Sequence, residues 1–213
     1  MQIDMTKHIG ICGETQSGKT ILSNFLFNRT GGLFIDIEDK GDVQAEISFS
    51  INNSESRFLT ALKENKTVRY VPSTRLETSL KEIQYIWNCL TWINKPIYLY
   101  VDELQNWGNA RKNAFDVFAI RGLKYGIHLV SISQRPAWIS KTIATQSTTW
   151  VFFDIGDFER KYFDNYKLPY DEILSKFYDK DENGHLIRKA PQYSFVIYRR
   201  GIRSVSEPQK IRA

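Results

Sequence analysis

Residues 7–20 read KHIGICGETQSGKT, and this stretch decides the class of fold. The apolar run before Gly13 predicts a buried strand, and the apolar spacing over residues 19–28 predicts a helix. Between them, residues 13–20 match the pattern GxxxxGK[ST] in full. The pattern indicates a phosphate-binding loop where it follows a strand and opens a helix, and this segment does both.

The composition of this loop suits it to a nucleoside triphosphate. Its glycines allow the backbone to wind into a nest of N–H donors around a phosphate, at the positive end of a helix. In that arrangement Lys19 reaches the β- and γ-phosphates of ATP, and the Thr20 hydroxyl ligates Mg²⁺. The predicted nucleotide-binding residues are Gly13, Glu14, Thr15, Gln16, Ser17, Gly18, Lys19 and Thr20.

Outward from the loop, apolar strand-like runs alternate with helical patterns. Strands are predicted at residues 7–13, 32–39, 67–72, 97–103, 127–133 and 148–155. Helices are predicted at residues 19–28, 54–66, 75–93 and 109–125, and near 157–167. The alternation indicates a mostly parallel sheet covered on both faces, and QYSFVIYRR followed by GIRSVS indicates an antiparallel hairpin at its C-terminal edge. The predicted fold class is therefore α/β, a three-layer P-loop NTPase.

Polar side chains follow two more of these strands. Asp102 and Glu103 end the run IYLYV, and a carboxylate at the end of a buried strand needs a cation, because its unpaired burial is costly. Asp102 is predicted to hold Mg²⁺, directly or through water, and Glu103 to act as the general base for the attacking water. Gln134, at the end of the next strand, is predicted to sense the γ-phosphate, although a glutamine there also suits a turn.

The composition excludes several classes of protein. The chain has 213 residues, of which 42% are hydrophobic and 25% charged, as in ordinary globular proteins and unlike disordered or disulfide-rich chains. Its two cysteines form no CxxC pair, so a zinc site is not indicated. No apolar run reaches the length of a membrane span, and residues 1–10 lack the apolar segment of a secretory signal. We expect a cytoplasmic protein without membrane insertion.

The charge distribution suggests a polyanionic partner. The net charge is +5 and the isoelectric point is near 9.1. Basic residues cluster in 108–141 and again in 186–213, whereas the stretch 154–182 is acidic on balance. Such clusters occur on nucleic-acid contact surfaces, but a basic stretch taken alone is more often a solvated face.

As a set, the segments GETQSGKT, YLYVDELQN and FAIRGLKYGIHLVSISQRP resemble the FtsK–HerA superfamily of DNA-pumping ATPases. The most specific part is the block RGLKYGI at 121–127, followed by a strand and the sequence SQRP at 133–136. The resemblance covers about residues 5–165 and implies a RecA/FtsK-like motor core. We expect residues 1–213 to form a single motor domain, with a C-terminal extension from about 166 to 213.

The resemblance extends to one subgroup. From the sequence we expect neither the membrane segments and winged-helix domain of FtsK-like proteins nor the N-terminal barrel of cellular HerA-like proteins. A bare motor of this kind looks like the genome-packaging ATPases of membrane-containing, double-jelly-roll viruses. That likeness implies a ring, usually a hexamer, that pumps double-stranded DNA into a preformed capsid. Capsid vertex proteins would be its partners, and the host cytoplasm or the virion its location.

Ring ATPases of this group complete each site with an arginine from the neighbouring subunit. Arg121 is the candidate that the resemblance implies, because it falls in the RGLKYGI block, and we expect it near the edge of the sheet that carries the loop. Lys124 and Arg135 are its rivals. A helix-surface arginine with no catalytic role is the other interpretation.

Three other functions are compatible with the sequence. A motor for filamentous-phage assembly or secretion would share the ATPase core, but such motors usually carry a membrane anchor. A P-loop kinase for nucleotides or small molecules would need an arginine-rich lid, whereas Glu103 and Gln134 favour water as the acceptor. A nucleotide-dependent scaffold would not need the intact set of Lys19, Thr20, Asp102 and Glu103.

Overall fold

The computed structural model describes residues 3–39, 42–50, 55–64, 66–107, 113–155 and 160–211. The strands in these ranges are β1 (Ile9–Cys12), β2 (Gly32–Ile35), β3 (Ile47–Ser50), β4 (Thr67–Val71), β5 (Ile97–Val101), β6 (Ile127–Ser133), β7 (Thr149–Phe152), β8 (Tyr178–Lys180), β9 (Leu186–Arg188), β10 (Val196–Arg199) and β11 (Ser204–Val205). The helices are α1 (Lys19–Thr30), α2 (Glu55–Lys63), α3 (Leu76–Ile93), α4 (Asp116–Arg121), α5 (Lys141–Gln146), α6 (Arg160–Asn165) and α7 (Tyr170–Phe177).

The central sheet is mostly parallel. Its strand order is β11-β10-β7-β1-β6-β5-β2-β4-β3, and the run from β7 to β3 is parallel throughout. Strand β10 pairs antiparallel with β7, and β11 with β10, which confirms the predicted hairpin at one edge. Strands β8 and β9 form a separate antiparallel pair. We call the end at which the parallel strands finish the carboxyl edge, and the opposite end the amino edge.

Alternating side chains along each strand supply the cores of both faces. On β5, Leu99 and Val101 join a cluster with residues of α3, whereas Tyr100 points to the opposite face. There Tyr100 packs edge-to-face against Phe27 of α1, with ring centroids 5.4 Å apart. A parallel sheet covered on both faces needs such two-sided apolar strands, and the three-layer architecture is confirmed.

The two faces are covered unequally. Helix α1 lies on one face, over the cluster that contains Leu22, Leu26 and Phe27. The other cluster contains buried residues of α2, α3, α4, α5, α6 and α7. Among the described residues, no helix combines the length and the apolar character that crossing a bilayer requires.

The structure departs from the sequence predictions in several places. Of the helix predicted at 109–125, α4 forms only over Asp116–Arg121, followed by a 3₁₀ turn at Gly122–Tyr125, while 108–112 lie outside the described residues. Helix α6 is likewise shorter than predicted, and 156–159 lie outside the described residues. Strand β3, helices α5 and α7, and the β8–β9 hairpin were not predicted. Strand β3 and helix α5 are short and are formed by tertiary packing rather than by local periodicity. Helix α7 is different, because its buried residues Tyr170, Ile173, Leu174 and Phe177 follow a helical spacing that is visible in the sequence.

Candidate functional site

The loop between β1 and α1 adopts the turn that its glycines predict. Gly18 has a φ of 109°, and Gln16 also lies in the left-handed region with a φ of 62°. The Leu22 N–H donates to the Gly18 carbonyl at 3.0 Å, so the helix begins immediately after the loop. Because glycine has no side chain, Gly18 adopts this conformation without the strain that another residue would suffer.

The backbone at Gly13 is packed too closely to accept a side chain. A Cβ placed on Gly13 would lie 2.7 Å from the Cβ of Phe153 and 2.8 Å from the Ser17 hydroxyl oxygen. The Ser17 hydroxyl is buried and has no hydrogen-bond partner within the part of the chain that the structure describes. A buried polar atom without a partner is costly, and a bound phosphate oxygen would satisfy it. The residues present therefore fit a nucleotide phosphate.

Lys19 directs its charge into the same loop. The residue is only 6% exposed, and its Nζ donates to the carbonyl oxygen of Glu14 at 2.7 Å. Its ammonium also lies close enough to Asp102 to act on the titration of that carboxylate. The loop lysine and the first carboxylate of the predicted metal site are thus neighbours.

Asp102, Glu103 and Gln134 gather at the carboxyl edge because their strands are adjacent. β6 lies between β1, which leads into the loop, and β5, which leads into Asp102 and Glu103. Gln134, the residue after β6, therefore stands between the phosphate loop and the two carboxylates. Its Nε2 lies 3.5 Å from Oε2 of Glu103, at the long limit of a hydrogen bond.

Asp102 is held in an environment that calls for a cation. Burial, then the neighbouring Glu103 charge, raises the pKa of Asp102 to about 7, and Asp36 adds to the effect. The Glu103 backbone N–H and the Lys19 charge oppose the rise. A divalent cation would reverse it, because a nearby positive charge favours the ionised form. Oxygen ligands such as Asp102 and the Thr20 hydroxyl are the kind that Mg²⁺ prefers.

The Glu103 backbone carries local strain. Its φ is 47°, a left-handed value that non-glycine residues rarely adopt. The Glu103 N–H donates to Oδ1 of Asp102 at 2.8 Å, and its carbonyl accepts from the Asn106 N–H at 2.8 Å. These bonds hold the strained residue in place and present its carboxylate beside Gln134. Strain of this kind concentrates at functional sites.

An ion-paired cluster, which sequence reasoning missed, extends the acidic edge. Asp36 follows β2, the neighbour of β5, and Arg69 of β4 binds its Oδ2 through Nε at 3.0 Å and Nη2 at 2.6 Å. The same Nη2 lies 2.5 Å from Oδ1 of Asp39. The signal was available, since Asp36 ends an apolar strand in the same way as Asp102.

A second cluster anchors the C-terminal segment beside the loop. The Tyr178 hydroxyl donates to Oδ1 of Asp154 at 2.8 Å, and Arg188 pairs with the other oxygen of that carboxylate. Burial, followed by the hydrogen bond to Asp154, raises the pKa of Tyr178 to about 12, so its hydroxyl remains a donor. Asp154 adjoins Phe153, the residue that faces Gly13. The β8–β9 hairpin is thereby joined to the phosphate loop.

Arg121 does not lie where we expected it. It is exposed at the end of α4, and the following turn leads directly into Ile127, which pairs with Ile97 at the start of β5. Arg121 and the exposed Lys124 therefore occupy the amino edge, opposite the loop of their own subunit. The expected position near the carboxyl edge is wrong, because a connection between parallel strands must return to the amino edge.

The basic stretches are also divided by the fold. Arg135 is exposed at the carboxyl edge, where its guanidinium lies 5.2 Å from the centre of the Trp138 ring. Arg200 donates to the carbonyls of Ala144, Thr145 and Tyr166, and so has a structural role. Arg188 and Lys189 are paired with carboxylates. Residues of these stretches that lie outside the described ranges are Arg111, Lys112 and Arg212.

Comparison with solved structures finds proteins of the same architecture. The genome packaging NTPase B204 from Sulfolobus turreted icosahedral virus 2, in complex with sulfate, matches with a TM-score of 0.71 at 15% identity, over 99% of each chain. Its complex with ATP-gammaS matches with a TM-score of 0.69 at 14% identity, over 99% of this chain and 100% of that chain. The chain has the fold of these packaging NTPases. B204 of Sulfolobus turreted icosahedral virus, a DNA-packaging ATPase, matches with a TM-score of 0.68 at 17% identity, over 99% of this chain and 100% of that chain.

The likeness runs along the whole chain, including the C-terminal extension. At the level of the fold, it confirms the predicted resemblance to viral genome-packaging ATPases. No protein-family model and no curated protein sequence matches the chain.

Proposed function

We propose that the chain is an ATP-hydrolysing translocase of double-stranded DNA that pumps a viral genome into a preformed capsid. The observation that carries the proposal is the meeting of Lys19, Asp102, Glu103 and Gln134 around one phosphate loop. The full-length likeness to viral genome packaging NTPases supports it. In this proposal residues 1–213 form one motor domain, which works as a ring, usually a hexamer, in the host cytoplasm or at the virion.

ATP binding uses the loop and its lysine. The backbone N–H groups of residues 13–20 and the start of α1 receive the phosphates, and Lys19 places its charge against the β- and γ-phosphates. When bound, Mg²⁺ neutralises charge between these phosphates, and Thr20 and Asp102 are the side chains that would hold it. Asp36 is already paired with Arg69, which leaves Asp102 as the carboxylate available to the cation.

Hydrolysis uses the next two polar residues. An oxygen of water attacks the γ-phosphorus, the bond to the bridging oxygen breaks, and Glu103 accepts the proton that the water loses. ADP and inorganic phosphate are the products. Gln134 orients the attacking water or the γ-phosphate through its side-chain amide. Its contact with Glu103 holds the general base beside the same group. Water, rather than a second substrate, is the acceptor that this arrangement serves.

The neighbouring subunit supplies the remaining positive charge. Arg121 is our candidate, with Lys124 and Arg135 as rivals. Because Arg121 and Lys124 lie at the amino edge, either one can act in trans only if that edge of one subunit faces the carboxyl edge of the next. Arg135 already lies at the carboxyl edge.

Double-stranded DNA and the capsid vertex are the proposed macromolecular partners. Some basic side chains are exposed and make no internal ion pair or carbonyl contact. These would neutralise DNA phosphates without reading the base sequence. The net charge of +5 supports such a contact. The capsid partner follows from the proposed viral role.

One experiment separates this proposal from the alternatives. ATP hydrolysis by the purified protein is measured with and without double-stranded DNA, and Glu103→Gln serves as the inactive control. Strong stimulation by DNA is expected. Transfer of the γ-phosphate to a nucleoside monophosphate would instead indicate a P-loop kinase. Hydrolysis that is indifferent to DNA would favour an assembly or secretion motor, and no hydrolysis would favour a scaffold.

A further inference from the structure

Helix α1 presents a second apolar stripe to solvent. Ile21 is 61% exposed and Phe25 is also exposed, although Leu22 and Leu26 beside them are buried against the sheet. Residues four apart lie side by side on a helix, so the two exposed side chains form one patch. Nothing in the helix's own packing requires large apolar residues at these positions.

An acidic segment flanks this stripe. The side chain of Asn24 donates to the carbonyl oxygen of Asp42 at 2.6 Å, which brings the segment after β2 alongside the helix. The side chains of Glu38, Asp39 and Asp42 are all exposed. Glu38 accepts from the side-chain amide of Asn106 and Asp39 pairs with Arg69, so the segment keeps a net negative charge that is partly offset. We call the stripe of Ile21 and Phe25 with these three acids the α1 surface.

The opposite face of the sheet carries a second apolar patch, and this one is basic. Ile120 is 62% exposed, and Leu123 and Tyr125 are exposed as well. Arg121 and Lys124 alternate with them and are also exposed. We call residues 120–125 the 120–125 surface.

The 120–125 surface rests on a firm base. Beneath it Phe118 and Ala119 are buried, and the ring of Trp87 packs edge-to-face against Tyr125 with centroids 5.6 Å apart. A rigid apolar patch with charged neighbours is the usual composition of an interface core and its rim. Its large apolar side chains add nothing to a contact with DNA phosphates, and the acidic α1 surface would repel DNA.

We infer that the 120–125 surface of one copy of this chain docks onto the α1 surface of a second copy. Both patches are apolar, and their charges are opposite, so they are complementary in chemistry and in electrostatics. They lie on opposite faces of one sheet, so a copy cannot satisfy its own patches. Contact between two different surfaces is heterologous and closes into a ring when the rotation permits. The inference deepens the ring assembly in the proposed function and rests on it.

This docking would complete the nucleotide site from outside. Ile21 directly follows Thr20, so the α1 surface begins at the phosphate loop. A neighbour seated there brings its Arg121 and Lys124 to the carboxyl edge, next to Glu38 and Asp39. The amino-edge position of Arg121, remote from its own loop, is the position that a group acting on a neighbour's site requires.

The first test changes each surface separately. Ile21→Arg and Ile120→Asp are compared with wild type by sedimentation velocity over a range of concentrations, with a non-hydrolysable ATP analogue. Each variant is expected to associate at least tenfold more weakly, because it sets a like charge against the partner surface. The matched control is Ile202→Asp, at an isoleucine that is 68% exposed in the turn between β10 and β11. Thermal unfolding checks that all variants are folded.

The second test mixes the two variants. Each variant alone has one damaged surface in every contact and should be monomeric. In an equimolar mixture, the intact 120–125 surface of Ile21→Arg meets the intact α1 surface of Ile120→Asp. The two damaged surfaces carry introduced charges of opposite sign and can also pair, so the mixture should form heterodimers, with or without larger mixed species. Interfaces between identical surfaces would not give this result.

Four outcomes overturn the inference: monomeric wild type under all conditions, wild-type association in both variants, equal weakening by Ile202→Asp, or a mixture without heterodimers. Loss of DNA binding by Ile120→Asp with assembly intact also overturns it, in favour of a DNA-contact surface.

ATP hydrolysis with and without DNA is measured on the same wild-type sample. Assembly through these surfaces without hydrolysis would refute the proposed function alone, and DNA-stimulated hydrolysis with undisturbed assembly in the variants would refute the inference alone.

Discussion

The Nζ of Lys19 donates a hydrogen bond to the carbonyl oxygen of Glu14 at 2.7 Å, across the loop to which both residues belong. The ammonium is almost fully buried in this position. A neutral carbonyl is a weaker partner for a buried cation than an anionic oxygen. A phosphate of ATP would therefore be a stronger hydrogen-bond partner for this lysine than the carbonyl is. The buried ammonium already lies in the loop that would bind the phosphate.

Replacement of this lysine is the first prediction. We expect Lys19→Ala to abolish ATP hydrolysis, because it removes the cation aimed at the β- and γ-phosphates. The fold should remain, since the apolar cores on both faces are untouched. Turnover of ATP measures the effect, and Lys141→Ala, at the first residue of α5, is the matched control with unchanged basal hydrolysis. A folded Lys19→Ala protein with wild-type turnover would refute the site.

The two neighbouring carboxylates should have separable roles. Glu103→Gln is expected to bind ATP normally but to hydrolyse it about 10²–10⁴-fold more slowly, as for the loss of a general base. Asp102→Asn should instead weaken the dependence on Mg²⁺, because it removes a ligand oxygen. Single-turnover hydrolysis and nucleotide binding are measured on the same preparations. If Glu103→Gln hydrolyses ATP normally while Asp102→Asn does not, the assignment of Glu103 as the general base is wrong.

Much of the carboxyl edge could be predicted from the sequence, because its signals are local. Gly13 and Lys19 belong to a pattern whose geometry is fixed by one turn, and Asp102 ends an apolar run that can only be a buried strand. Asp36 shows the same signal and was overlooked. The ion pair of Asp36 with Arg69 needed the pairing of β2 with β4, which no local pattern reveals.

Two departures from the sequence predictions, strand β3 and the end of helix α4, depend on distant contacts. The run ISFS of β3 has little hydrophobic pattern, and it becomes a strand by pairing with β4 at the sheet edge. Helix α4 stops at Arg121, where a continuous helix to Tyr125 was predicted, and the chain tightens into a 3₁₀ turn before β6. The position of Arg121 at the amino edge follows from the direction of that connection, which strand order alone does not show.

Action of Arg121 on a neighbour's site predicts complementation between two inactive variants. Arg121→Ala should bind ATP but hydrolyse it slowly, since an arginine acting in trans contributes about 10³–10⁵ in rate. Mixed with Glu103→Gln, it should recover activity, because a subunit with intact Glu103 then receives Arg121 from its neighbour. Arg57→Ala, at an exposed position of α2, is the control with normal turnover. If assemblies shown to contain both variants recover no activity, Arg121 does not act in trans, and Arg135 and Lys124 become the candidates.

Stability should depend on pH through His8. Burial lowers the pKa of His8 to about 4, from an ordinary value of 6.5, and the nearby His128 and Lys7 charges act in the same direction. Its Nδ1 accepts the Leu129 N–H at 3.0 Å, which requires the neutral ring. Below pH 6.5 the His8 side chain of the unfolded chain binds a proton, whereas in the folded chain it stays neutral down to about pH 4. The stability present at pH 7 is therefore lost as the pH falls through this window.

The size of this loss can be measured against a variant without the group. Between pH 7 and pH 4, wild type is expected to lose about 3 kcal/mol more of its unfolding free energy than His8→Gln. Urea unfolding at several pH values gives the difference, and the other titrating groups, Asp102 among them, are common to both proteins. Parallel pH profiles for the two proteins would contradict the burial of a neutral His8.

The central claim is that ATP hydrolysis moves this protein along double-stranded DNA. Its most direct measurement is the displacement of a labelled triplex-forming strand from a linear duplex, followed over time with and without ATP. We predict ATP-dependent displacement by wild type, and none by Glu103→Gln, although that variant binds both ATP and DNA. A wild-type protein that binds the duplex and hydrolyses ATP, yet leaves the triplex in place as long as it does without ATP, would contradict the claim.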